Sequence, residues 1–435
     1  MLPLSGLAAS SVLSGCGGGG DSTPVAKASF VSAWFGTMYA PTTVEQMATT
    51  YVASTLNVKL SDGTTQTSNL AYEPFFLTGT QVPDGKGGTV LAGGYYDINN
   101  QAIIDATGGT SRQYFSDAPD GTSLLTVPKA KVTGVTGNHV FAVVQFEYTT
   151  LAANGTTDMY GKLPSPIAVL TLDQSPTTGK LSLVKYHNVD TSGVNGLWIT
   201  CGASLSPWGT HLSSEEYEPD AFATRTGSML EGFSQSLYGD GTTANAYNYG
   251  HMPEVVVNPD GTGTIKKHYC MGRISHELVE VMPDQRTVLM GDDATNSAYF
   301  MFIADKAADL SAGTLYVAKV GTAANVSSPA FSIDPTAAAA QMSWIKLGHA
   351  TSAEIRALVD GGIKPADIMD VRSADPADAS FKKVFANGKT EWIKVVAGQE
   401  KAAAFLETHR YAALVGASTC FTKMEIGRAS CRERV

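Results

Sequence analysis

The chain has 435 residues, 43% hydrophobic and 16% charged, which permits a large buried core and excludes a disordered polymer. Its formal net charge of −10 and pI near 5.3 set the surface against polyanions, which argues against nucleic acid as a partner. Small anions remain acceptable ligands wherever bound cations invert the local potential.

At the N-terminus, the small and apolar run Met1 to Gly15 leads into Leu13-Ser14-Gly15-Cys16 and four glycines. This resembles a bacterial lipoprotein signal, in which Cys16 would carry the lipid and residues 17–24 would be a flexible tether. No Lys or Arg precedes Cys16, so a longer leader is expected upstream. The resemblance implies export to the periplasm or cell surface, with membrane contact only through that anchor. No later stretch is long and apolar enough to span a bilayer.

From Phe30 to Thr150 short β-prone runs alternate with turn signals at Asp62-Gly63, Asp84-Gly85, Asn99-Asn100 and Asp120-Gly121. Regular hairpins then follow. Ile167 to Asp173 pairs with Leu181 to His187, Glu254 to Val257 with Thr264 to Tyr269, Leu278 to Met282 with Thr287 to Gly291, and Tyr299 to Ala304 with Thr314 to Val320. Successive hairpins over residues 25–425 predict a mainly β domain, a β-propeller in preference to a β-sandwich. A small helical insertion is expected from the capped start Thr351-Ser352-Ala353-Glu354 and from the Ala-rich stretch Glu400 to Leu414.

The densest chemical signal is Cys201-Gly202-Ala203-Ser204-Leu205-Ser206-Pro207-Trp208-Gly209-Thr210-His211-Leu212-Ser213-Ser214-Glu215-Glu216. Read as a strand over Leu197 to Thr200, a tight loop and a returning strand, it brings one sulfur near one or two carboxylates. Neighbouring side chains on a regular strand face opposite ways, so Glu215 and Glu216 share a face only if the strand ends there. The plain alternative is a buried Cys beneath Trp208 with two solvated acids.

At the other end, residues 426–435 continue no preceding pattern and read as a sequencing-adapter artefact, which implies that the natural chain runs on past Glu425. With Cys16 and Cys431 set apart, Cys201, Cys270 and Cys420 remain. They allow one disulfide plus a special thiol, or three free thiols, but no four-thiolate metal site from this chain alone.

The Cys201 to Glu216 segment resembles the hallmark of the PhoX-type alkaline phosphatase family. Further segments resemble later family motifs in the expected order: Gly272-Arg273-Ile274-Ser275-His276-Glu277, Val288-Leu289-Met290-Gly291-Asp292-Asp293 and Phe421-Thr422-Lys423-Met424-Glu425. The resemblance implies a propeller, six-bladed in the complete protein and incomplete here. It further implies hydrolysis of small phosphomonoesters outside the cytoplasm with Ca2+ and Fe3+. Cys201 would bind iron. Metal carboxylates would fall on Glu215 or Glu216, Glu277, Asp292 or Asp293, and Glu425, while Lys423 would face the phosphate. The chain departs from the family pattern at His211, in place of an aromatic, at Ser214, in place of a second Cys, and at Lys423, where Arg is frequent.

Hard, multiply charged cations take oxygen ligands and one thiolate suits a transition metal, so the residue types agree with that chemistry. His276-Glu277-Leu278-Val279-Glu280 lacks the second His of a zinc protease motif. Two other functions keep the same acids: a non-catalytic, calcium-stabilised surface propeller and a phosphodiesterase. The Cys favours catalysis, because a structural calcium site has no need of sulfur.

Overall fold

Turn residues at short intervals fold this chain into antiparallel meanders. The computed structural model describes residues 28–47, 53–72, 74–320, 342–419 and 421–424. Cys16, the tether, Cys420, Glu425 and the terminal segment 426–435 lie outside the described residues. The chain divides into two compact units, Met1–Phe75 and Phe76–Val435. No helix among the described residues is long and apolar enough to cross a membrane.

In the first unit, β1 (Phe30–Phe35), helix α1 (Val44–Met47), β2 (Thr55–Leu60) and β3 (Thr65–Asn69) form a three-stranded sheet in the order β1-β2-β3 with one short helix. Asp62-Gly63 makes the β2–β3 turn. None of this unit's described residues is buried.

The second unit begins with two small hairpins, β4 (Gln81–Pro83) with β5 (Thr89–Leu91) and β6 (Ile104–Asp105) with β7 (Arg112–Gln113). A four-stranded sheet follows from β8 (Pro119–Leu125), β9 (Asn138–Phe146), β10 (Ile167–Gln174) and β11 (Leu181–Asn188), each strand beside its chain neighbour. A second is built from β12 (Ser204–Leu205), β13 (His211–Leu212), β14 (Met252–Val257) and β15 (Gly263–His268), with helix α2 (Met229–Tyr238) between β13 and β14. A third has five strands in sequence: β16 (His276–Val281), β17 (Thr287–Asp292), β18 (Phe300–Lys306), β19 (Asp309–Val320) and β20 (Met342–Thr351). All four hairpins expected from the sequence are present.

After β20 come α3 (Ser352–Asp360), α4 (Pro365–Ile368), β21 (Met369–Arg372), β22 (Lys382–Ala386), β23 (Lys389–Val395), α5 (Glu400–Leu406) and α6 (Thr408–Leu414). Thr351 and Glu354 form the expected capping box of α3. The stretch Glu400 to Leu414 is two helices rather than one. Its break at Glu407 frees a carboxylate that accepts hydrogen bonds from Tyr247 Oη and Arg410 Nη1, each at 2.8 Å. The five-stranded sheet and these helices share one apolar core around Phe300, Phe302, Leu315, Ile355 and Phe405. The sequence pattern does not single out α2, although Leu230, Phe233 and Leu237 line one face of it and pack on Trp198 and Tyr249.

Arg410 ties α6 to two other parts of the unit. Its guanidinium meets both oxygens of Asp220 at 3.1 Å and both of Glu391 at 2.8 and 3.1 Å. Burial alone would raise the Asp220 pKa, but the hydrogen bonds and charge of Arg410 outweigh it and bring it down to about 2. The folded-state pKa is thus depressed below the ordinary 3.8. The stabilisation, about 2 kcal/mol, is complete above the unfolded pKa and disappears as pH falls through the folded one. Urea unfolding should therefore show wild type losing stability between about pH 4 and pH 2 by more than Asp220→Asn does.

Candidate metal centre

The expected strand over Leu197 to Thr200 is absent. The backbone there is extended but outside any ladder, and Ile199 lies in the left-handed region at φ 27°. Trp198 N donates to Glu215 Oε1 at 2.8 Å and Glu216 N to Ile199 O at 3.0 Å, so the returning segment still lies alongside. Regular pairing is confined to the two-residue strands β12 and β13.

Two glycines let this segment be approached closely from both sides. A side chain on Gly121 would sit 2.7 Å from Cys201 O and 2.6 Å from Ala203 Cβ. One on Gly202 would sit 2.4 Å from Glu277 O. The Asp120-Gly121 pair is therefore no hairpin turn; it lies inside β8, where the register with β9 shifts between Pro119 and Thr122. That irregularity carries Asp120 toward Cys201.

The alternation of side chains then sorts the acids. Glu216, Glu277 and Cys201 come together, each offering a ligand atom within 4.8 Å of the others. Asp120, Glu147 and Cys201 form a second such group. Cys201 Sγ lies 3.2 Å from Glu277 Oε1, and Glu216 is close enough to Glu277 and Glu147 for each to influence its charge. Asp293 stands at the edge of the cluster. Tyr217 Oη donates to its Oδ2, and Lys423 Nζ reaches Asp293 Oδ2 at 2.5 Å and Tyr217 Oη at 2.6 Å. Tyr217 is turned there by a left-handed backbone, φ 47°, with its N–H held by Ser275 Oγ at 2.7 Å.

Glu215 and Asp292 face the other way. Glu215 is fully buried: Oε1 accepts from Trp198 N and from Lys267 Nζ at 2.8 Å, and Oε2 accepts from Gly250 N and His251 N. Burial opposes charge on both Glu215 and Lys267. Both oxygens are nonetheless occupied by donors, which leaves no position for a proton, so the pair is ionic. Asp292 accepts from Ala294 N at 2.8 Å and lies 3.2 Å from His409 Nε2. Glu425 lies outside the described residues. Asp120 and Glu147 belong to no recognised motif; Asp-Gly reads as a turn, and only the fold brings these acids to Cys201.

Crowding of negative groups marks the site. Burial, then the charges of Glu216, Glu277 and Asp120, push the Cys201 thiol far up. Burial, then Glu277 and other neighbouring acids, raise Glu216 in the same way. Glu147 is pushed up to about 7 by burial and by Asp120. Asp293 Oδ1 is buried with no hydrogen-bond partner among the described residues. A multiply charged cation would relieve this repulsion. The donor set, several carboxylate oxygens and one sulfur, fits hard cations together with a transition metal.

No curated protein matches the chain. Among solved structures it is similar to Pseudomonas fluorescens PhoX in complex with vanadate, a transition state analogue, at 18% identity over 71% of this chain and 73% of that one, with a TM-score of 0.38. The sequence model of the family described as alkaline phosphatase PhoX matches residues 169–428, which takes in the cysteine loop, both acid pairs, Glu277 and Lys423. The chain therefore belongs to the PhoX alkaline phosphatase family and is a phosphoric ester hydrolase.

Proposed function

We propose that this chain is an exported phosphomonoesterase whose centre holds Ca2+ and Fe3+ on Cys201, Glu216, Glu277, Asp120 and Glu147, with Asp293 at its edge and Glu425 as a further ligand. The observation that carries this reading is the cluster itself: Cys201, Glu216 and Glu277 offer ligand atoms within 4.8 Å of one another, with Asp120 and Glu147 beside the same sulfur. Glu215 and Asp292 act by holding the backbone that presents Glu216 and Asp293. The meandering four- and five-stranded sheets suit blades of a propeller, and the lipoprotein-like segment at Cys16 suits an anchored, exported enzyme.

A phosphate monoester dianion would be repelled by these acids, so it enters only when their charge is compensated. Bound metal ions would supply that compensation, polarise a phosphoryl oxygen and generate the attacking nucleophile. Lys423, with 47% of its side chain exposed, offers a cation that a phosphate oxygen can meet. Its hydrogen bonds to Asp293 and Tyr217 raise its pKa, so it stays charged over the working range. Tyr217, pushed up to about 12, first by burial and then by Asp293, remains a neutral donor that orients Asp293.

The test is to purify the full chain, measure bound calcium and iron, and assay hydrolysis of p-nitrophenyl phosphate by wild type and Cys201→Ala. Iron and turnover should be lost together in the variant. Full metal occupancy of the wild type without turnover would sink the proposal.

A further inference from the structure

The Cys201–Gly202 peptide is held by an interior relay whose three members stand on three strands of two sheets. Gln145, on β9, and His211, on β13, are both completely buried, and Ser123 on β8 is nearly so. The Gln145 side-chain nitrogen donates to Cys201 O and, at 3.1 Å, to Gly202 O. Gln145 Oε1 lies 2.9 Å from His211 Nε2, and His211 Nδ1 lies 2.8 Å from Ser123 Oγ.

Donor and acceptor types fix every proton in this chain of contacts. Two carbonyl oxygens can only accept, so the amide nitrogen of Gln145 must face them and its oxygen must face His211. That oxygen also only accepts, so His211 Nε2 carries the proton and Nδ1 is bare. Ser123 Oγ–H then donates to Nδ1. Burial lowers the His211 pKa to about 3, which keeps the ring neutral and the arrangement unchanged at ordinary pH.

A second clamp meets the same peptide. Cys201 N–H donates to Ser214 Oγ at 3.1 Å, and Ser214 Oγ–H donates to Gly202 O at 2.7 Å. Gly121 N–H adds a bond to Cys201 O at 3.2 Å. Both carbonyls are thus turned into the protein, which leaves the thiol as the part of Cys201 that faces Glu277 and Asp120.

We infer that His211 is a positioning residue for the metal centre: through Gln145 it locks the Cys201–Gly202 carbonyls and thereby fixes the direction of the Cys201 sulfur. The inference rests on the metal-centre reading for its consequence in catalysis, but its geometry concerns only this chain's own residues. A phenylalanine at position 211 would leave the buried Gln145 oxygen without a donor and free the amide to rotate.

The test uses the full chain as wild type, His211→Phe, Gln145→Met and His211→Gln, the last placing an amide N–H where Nε2–H stands. Co2+ is the metal probe, read through its sulfur-to-metal absorption band. The second readout is the rate at which iodoacetamide labels Cys201 in metal-free protein, followed on the Cys201 peptide by mass spectrometry. His211→Phe and Gln145→Met should bind Co2+ about 10–100-fold more weakly, as loss of an outer partner of a ligand does, and label faster. His211→Gln should restore both values to within about threefold of wild type, since it keeps the donor. Unchanged Co2+ affinity and labelling in both disruptive variants overturns the relay. If wild type itself gives no Co2+ band, the metal reading fails while the labelling rates still decide the relay. In wild type, the imidazole 15N signals of His211 should show a neutral ring protonated at Nε2; a proton on Nδ1 overturns the relay even if no variant folds.

Discussion

Glu216→Gln should make the metal-free protein more stable and the enzyme at least about 10-fold slower, a lower bound set by the cost of losing even an indirect support of a metal ligand. The two effects have one cause. Burial and the neighbouring Glu277, Glu147 and Asp293 raise the Glu216 pKa above its ordinary 4.5. A carboxyl whose folded-state pKa is raised costs stability once pH exceeds the unfolded pKa, and the cost grows until the folded pKa is passed. The amide keeps the shape and removes the charge. The gain should be absent below about pH 4 and reach about 3.5 kcal/mol near pH 7, at about 1.4 kcal/mol for each pH unit above the ordinary 4.5. Urea unfolding of chelator-treated protein at both pH values measures it. Adding Ca2+ should then stabilise wild type more than the variant. Equal stability of the two metal-free proteins at neutral pH would show that the acids are not in mutual repulsion.

Lys267→Met should have the largest effect on folding, a loss of about 3–5 kcal/mol, because it strands a buried carboxylate. Neither Lys267 nor Glu215 has any exposed side-chain surface, and Lys267 Nζ also donates to Asn248 O at 2.9 Å. Glu215 joins the Leu197 to Thr200 segment, the Gly250–His251 backbone and β15, so its charge holds three stretches together. The double variant Glu215→Gln with Lys267→Met should recover part of the loss, since it leaves no unpaired charge. Denaturant midpoints of the four proteins give the coupling directly. A single variant within about 0.5 kcal/mol of wild type would mean that the pair carries no weight.

The hairpins were legible because alternation and turn residues are local signals: β10–β11, β14–β15, β16–β17 and β18–β19 all fall where the sequence places them. Helix α2 escaped because Gly232 and the four polar residues Glu231, Ser234, Gln235 and Ser236 surround a narrow apolar stripe. The cysteine loop and its acids were legible through motif resemblance, but the motif could not say which acid of each pair faces the cleft. That choice depends on Lys267 and His409, which lie far along the chain from Glu215 and Asp292. Asp120 was hidden by its own neighbour, since Gly121 makes the pair look like a turn when its role is to admit the Cys201 carbonyl at close range. His211 and Ser214, the two departures within the cysteine motif, find a common reason at the Cys201–Gly202 peptide.

The two acid pairs share a division of labour: the first member, Glu215 or Asp292, is fastened by buried partners, and the second, Glu216 or Asp293, faces the acid cluster or its edge. Substitution at one member removes one of the two roles and leaves the other residue in phase. A gain or loss of a single residue just upstream is a different kind of error, for it exchanges the two roles at once. The anchoring carboxylate would be thrown into the acid cluster and the proposed ligand driven against Lys267 or His409. The proposed metal edge is therefore written in phase as well as in identity, and a change of chain length there disturbs both roles of a pair at once.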